Sequence, residues 1–82
     1  MEGLRNLIYL LGDMGIEYSI HNSDTVAIVN ERGNEGETSV ILIKCDHKGF
    51  FTMVNYTDGS YFKFKFTTTE EIKALLELEQ EY

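Results

Sequence analysis

At 82 residues, 43% of them apolar and 12% aromatic, the chain has the size of a single domain, 1–82, with a thin but sufficient core, which excludes a disordered tail. Its formal charge of −7 excludes a generally basic nucleic-acid binder, and its longest apolar run falls far short of the roughly 20 residues that span a bilayer. A single cysteine cannot close an internal disulfide, and no basic-then-apolar leader pattern opens the chain, so a reducing cytoplasm is the expected setting.

In chain order, Leu4, Leu7, Ile8 and Leu11 recur at i, i+3, i+4 and i+7, the stripe of an amphipathic helix, widened by Leu10 and Met14. Gly15 suits the left-handed residue after the last turn, and Ile16 is placed to fold back on the helix. From Ile16 to Ile20 the pattern alternates, predicting a half-buried strand with Ile16, Tyr18 and Ile20 on one face. Asn22-Ser23-Asp24 supplies turn chemistry, and the β-branched run Thr25 to Asn30 predicts a second strand. Residues 31–37, polar and bearing two glycines, read as a mobile acidic loop.

Thr38 to Phe66 reads as three further strands. Val40-Ile41-Leu42-Ile43 is apolar on both sides, as in the middle of a sheet, and residues 46–49 turn the chain into Phe50–Tyr56. Asp58-Gly59 is the pair that a two-residue type I′ hairpin wants. That turn sets Tyr56 opposite Tyr61, Met53 opposite Phe64 and Phe51 opposite Phe66. With Cys45 opposite Phe51, the core face then carries Ile41, Ile43, Cys45, Phe51, Met53, Phe62, Phe64 and Phe66. The outer face carries Leu42, Lys44, Val54, Tyr56, Tyr61, Lys63 and Lys65. Thr68-Thr69-Glu70-Glu71 fits a capping box, and Ile72, Leu75 and Leu76 give the helix after it a short apolar stripe. The expected fold is therefore α+β, in the order αβββββα: a five-stranded antiparallel sheet with an N-terminal and a C-terminal helix.

Charge is segregated along the chain. Residues 38–66 hold four lysines against two aspartates, whereas residues 67–82 hold five glutamates against one lysine. The acidic residues Glu31, Glu35, Glu37, Glu70, Glu71, Glu77, Glu79 and Glu81 form a candidate surface for a protein partner with a basic face, steered by long-range attraction. A row of carboxylates is otherwise a solvated face, and those late in the helix oppose its dipole. The second candidate is the outer sheet face, through which the chain pairs with itself or with another protein. Third comes single-stranded nucleic acid stacked on Tyr56 and Tyr61, which the acidic composition and the lack of an RNA-binding motif disfavour.

No cofactor, metal or catalytic constellation is expected. Cys45 and His47 lie two apart across a turn and His21 ends another strand, too few and too irregularly spaced for a zinc site. Asp46 neighbours Cys45 in sequence, which on a strand turns the two side chains apart. The loop glycines lack the lysine-serine or lysine-threonine ending of a phosphate loop. In size, charge and element order the chain resembles the small phage proteins that inhibit host defence or transcription machinery, anti-CRISPR proteins and DNA mimics among them. The resemblance rests on no motif and carries over no site residue; it implies an inhibitor or regulator of a basic, nucleic-acid-handling protein.

Overall fold

A computed structural model describes residues 2–32 and 37–80, without the side chains of Glu31, Arg32, Glu37, Glu79 and Gln80. Helix α1 (Glu2–Met14) precedes strands β1 (Ser19–His21), β2 (Thr25–Arg32), β3 (Glu37–Asp46), β4 (Gly49–Tyr56) and β5 (Tyr61–Phe66), and helix α2 (Thr69–Gln80) follows. The strands form one antiparallel meander in the order β1-β2-β3-β4-β5, and both helices pack on the same side of it, the α+β arrangement expected.

Helix α1 ends as its sequence requires. Gly15 sits at φ 69°, its amide donates to the Gly12 carbonyl at 3.1 Å, and the Ile16 amide donates to the Leu11 carbonyl at 2.9 Å. This is the paired bond set of a Schellman cap, and Ile16 packs back on the core. Because the cap holds Gly15 and Ile16 in the helix layer, β1 is confined to Ser19–His21 instead of starting at Ile16, and Tyr18 and Ile20 are exposed. The expected acidic loop is also shorter. β2 runs through Arg32 and β3 begins at Glu37, paired with it, so only residues 33–36, with Glu35 among them, lie outside the described residues.

The main departure from expectation is the register of β4. The β3–β4 turn has two residues, His47 and Lys48, because Gly49 itself pairs with Asp46. The Asp46 carboxylate accepts the amides of Lys48 at 2.7 Å and Gly49 at 3.0 Å, and Gly49 adopts φ 143°, open only to glycine. Cys45 thus faces Phe50, not Phe51.

At the next turn the loop has three residues, Thr57-Asp58-Gly59. The Gly59 amide donates to the Tyr56 carbonyl at 3.1 Å and the Tyr56 amide to the Ser60 carbonyl at 2.9 Å. That is a type I turn closed by a glycine bulge: Gly59 alone has positive φ, 92°, where a type I′ turn needs two such residues. Asp58 stays at negative φ, its carboxylate accepting the Ser60 hydroxyl at 2.6 Å and amide at 2.9 Å.

Each turn differs from expectation by one residue, and a one-residue slip moves a strand's side chains to the opposite face. The two slips cancel for β5 and leave β4 alone inverted. The helix-facing side therefore holds Ile41, Ile43 and Cys45 with Phe50, Thr52 and Val54, over Leu7 and Leu11 of α1 and Ile72 and Leu76 of α2. Burying each such aliphatic or aromatic side chain contributes about 1.5–3 kcal/mol. Phe51 and Met53 take the other face.

The α2 cap forms as its sequence predicts. The Thr68 hydroxyl accepts the Glu71 amide at 3.4 Å, while Glu71 Oε1 accepts the amides of Thr67 at 3.1 Å and Thr68 at 3.2 Å.

Candidate interaction surface

The face of the sheet away from the helices is built row by row from the ladder. One row is Ala27, Leu42, Met53 and Lys63; on one side of it lie Thr25, Lys44, Phe51 and Lys65, on the other Val29, Val40, Asn55 and Tyr61. An apolar band thus runs obliquely from Val29 and Val40 through Leu42 and Met53 to Phe51. Among the described residues, no helix covers it: Val29 is 63% exposed and Phe51 46%. Lysines border the band along the β5 side, and Lys63 Nζ lies 5.5 Å from the centroid of the Tyr61 ring. Among the described residues, no carboxylate pairs with Lys44, Lys63 or Lys65.

Of the expected sheet-face residues, Leu42, Lys44, Tyr61, Lys63 and Lys65 share this surface. Val54 and Tyr56 do not. Val54 is only 1% exposed on the helix side, and Tyr56 stands there edge-on to Phe62, with ring centroids 5.9 Å apart. The inverted register of β4 is the cause, and it also supplies the residues that sequence reasoning missed, Phe51 and Met53. The signal that identifies them is Asp46 followed three residues later by Gly49, which favours a two-residue turn with the glycine inside the ladder.

The acidic candidates are less gathered. Glu70 and Glu77 are exposed on α2, two helical turns apart, roughly 10 Å. Glu71 is held by the cap, where the Thr67 amide and hydroxyl, with those of Thr68, keep its carboxyl below its ordinary range. Glu35 and Glu81 lie outside the described residues, as do the side chains of Glu31, Glu37 and Glu79.

Groups with reactive chemistry are dispersed. Cys45 is 1% exposed, and burial, reinforced by the charges of Asp24 and Asp46, pushes its thiol up to about 11, so it stays protonated at neutral pH. His21 hydrogen-bonds Ser19 Oγ at 3.0 Å on the exposed edge strand, and His47 stands exposed on the β3–β4 turn. Among the described residues, no three histidine, cysteine or acidic side chains converge as metal ligands. A cleft of about 610 Å³ lies where both helix N-termini meet the β3–β4 turn. Glu71 occupies the Thr67 and Thr68 amides there, and Asp46 those of Lys48 and Gly49. Among the described residues, no helix is long and apolar enough to cross a membrane.

No protein-family model, curated protein or solved structure matches this chain.

Proposed function

We propose that this chain is a non-enzymatic, protein-binding module of the reducing cytoplasm that meets its partner through the uncovered sheet face. The observation that carries the reading is the composition of that face: Val29, Val40, Leu42, Met53 and Phe51 in one band, bordered by lysines that pair with no carboxylate among the described residues. A continuous apolar band with a charged rim has the anatomy of an interface, where an apolar centre is desolvated and the rim sets orientation.

The test compares two variants in capture of partner from the source lysate. Phe51→Ser with Met53→Gln alters two side chains that touch solvent, so melting changes little and capture is lost. Glu70→Gln with Glu77→Gln leaves capture intact. The opposite pattern, with capture abolished by salt, would instead favour an acidic inhibitor of a basic, nucleic-acid-handling protein.

That second reading is supported by the exposed Glu2, Asp13, Glu70 and Glu77 on the two helices, opposed there by Arg5 and Lys73. Self-association through the same sheet face is tested by light scattering, and a dimer dissociated by the Phe51 and Met53 changes would make the partner a second copy. Binding of a single-stranded oligonucleotide that quenches Tyr61 would move the function to nucleic acid.

A further inference from the structure

The bond from the Tyr56 amide to the Ser60 carbonyl, 2.9 Å, fixes the phase of the β4–β5 ladder. In an antiparallel pair, mutually bonded residues recur at every second position, which here are Val54 with Phe62, Thr52 with Phe64 and Phe50 with Phe66. The residues between them, Tyr61, Lys63 and Lys65, therefore direct their N–H and C=O groups away from the sheet. They offer three donors and three acceptors in register along about 13 Å of open edge. Among the described residues no strand lies beyond β5. The opposite edge is the three-residue β1, whereas β5 has six residues, with Tyr61 57% and Phe62 56% exposed. The chain contains no proline to block the edge.

We infer that β5 accepts an added strand from an acidic protein partner: an extended segment whose carboxylates lie opposite Lys63 and Lys65 and whose intervening apolar side chains meet Phe62 and Phe64. This deepens the sheet-face reading above and rests on it, since the added strand would continue that face.

Charge complementarity selects this occupant over a second copy. Outward-directed residues must oppose outward-directed residues, so two β5 strands related by a two-fold axis set Lys63 against Lys63, or Lys63 against Lys65 twice. Directly opposed like charges destabilise a pair, and edge lysines are a known guard against self-pairing. Of the remaining registers, Lys65 opposite Lys65 again opposes like charges, and those with Tyr61 opposite Lys63 or Tyr61 engage only the first half of the strand. A strand with glutamates at alternate positions sets a carboxylate opposite both Lys63 and Lys65 and extends the ladder by its backbone. The apolar residues between those glutamates fall on the helix side, beside the exposed ring of Phe62.

The experiment uses the isotope-labelled full chain and a short, end-blocked peptide alternating valine with glutamate. On saturation, the amides of Tyr61, Lys63 and Lys65 become protected from solvent exchange, while those of Phe62, Phe64 and Phe66, already bonded to β4, do not change. Lys63→Glu with Lys65→Glu weakens binding about tenfold. Lys63→Pro removes an outward N–H and no ladder bond, so it abolishes binding with the fold retained. Should that variant fail to fold, the exchange pattern of the unmodified chain decides alone.

Equal binding of a valine-lysine peptide, or no peptide-induced change at any amide, overturns the inference. Shifts at Leu42, Phe51 and Met53 without edge protection also overturn it but leave the sheet-face reading standing. Edge protection that appears with rising protein concentration and no peptide makes a second copy the occupant. Conversely, edge protection by the peptide, with partner capture indifferent to the Phe51 and Met53 changes, would sink the sheet-face reading and spare the strand-addition site.

Discussion

Replacing Thr52 with valine should stabilise the protein. Thr52 lies in the middle of β4 between Ile43 and Phe64, on the helix side of the sheet, with none of its surface exposed. Its hydroxyl is buried and has no hydrogen-bond partner among the described residues. A hydroxyl withdrawn from water without a partner costs about 1–3 kcal/mol, and valine fills the same volume with a methyl group that has nothing to lose. Allowing for imperfect packing of the new methyl leaves a gain of about 1–2 kcal/mol. For a domain of this size that raises the melting temperature by roughly 4–15 °C. Thr52→Ser, which keeps the hydroxyl and deletes the methyl, should cost about 1 kcal/mol or more. Both follow from thermal melts monitored by circular dichroism. On the register expected from the turns, Thr52 would face solvent, where either change stays within about 0.5 kcal/mol. A valine variant that melts at or below the parent temperature would therefore refute the assignment of this residue to an unsatisfied core position.

Three other measurements probe the turns, the cap and the thiol. Gly49→Ala should cost about 3 kcal/mol or more, because a Cβ at φ 143° collides with the backbone carbonyl of Phe66 and breaks the end of the β4–β5 ladder; chemical denaturation reads the loss. Glu71→Gln should lower the melting temperature at neutral pH. Since the folded-state pKa of Glu71 lies below its unfolded value, its contribution is complete above the ordinary carboxylate range and is lost as pH falls through the folded value, so parent and variant should converge in acid. Cys45 should resist a thiol reagent at neutral pH at a rate set by unfolding, and rapid labelling of the native protein would contradict its burial and its thiol pKa of about 11.

The helices were legible in the sequence because each carries its own terminal signal. Gly15 with Ile16 closes α1, and Thr68 with Glu71 opens α2, in bonds made within a few residues of one another. The number and order of strands were legible from alternation and from turn residues. The face of β4 was not. Phe50, Phe51, Met53 and Val54 are apolar on both sides of the strand, so alternation cannot choose between Phe51 with Met53 and Phe50 with Val54. Only turn length chooses, and Asp-Gly serves either a two-residue type I′ loop or, as here, a three-residue loop with a bulge. The same ambiguity hid the candidate surface. Its lysines were legible because β3 and β5 kept their faces, but Val54 and Tyr56 exchanged places with Phe51 and Met53.

The charge layout separates the two kinds of partner by the sign of a salt effect. A molecule of net charge −7 repels an acidic partner at distances beyond contact, although Lys63 and Lys65 reward it once docked. At low ionic strength the Debye length is about 30 Å, so the approaching partner meets the whole charge; at physiological salt, about 8 Å, it meets mostly the local lysines. Association with an acidic strand at β5 should therefore speed up as salt is added, while the complex dissociates faster because the lysine–carboxylate pairs are screened. A basic partner on the carboxylates of α2 is attracted at long range, and its association rate must fall with salt. Stopped-flow mixing across a salt series reads the slope directly. A rate that falls steeply with salt would place the contact on the acidic helices and remove β5 from consideration.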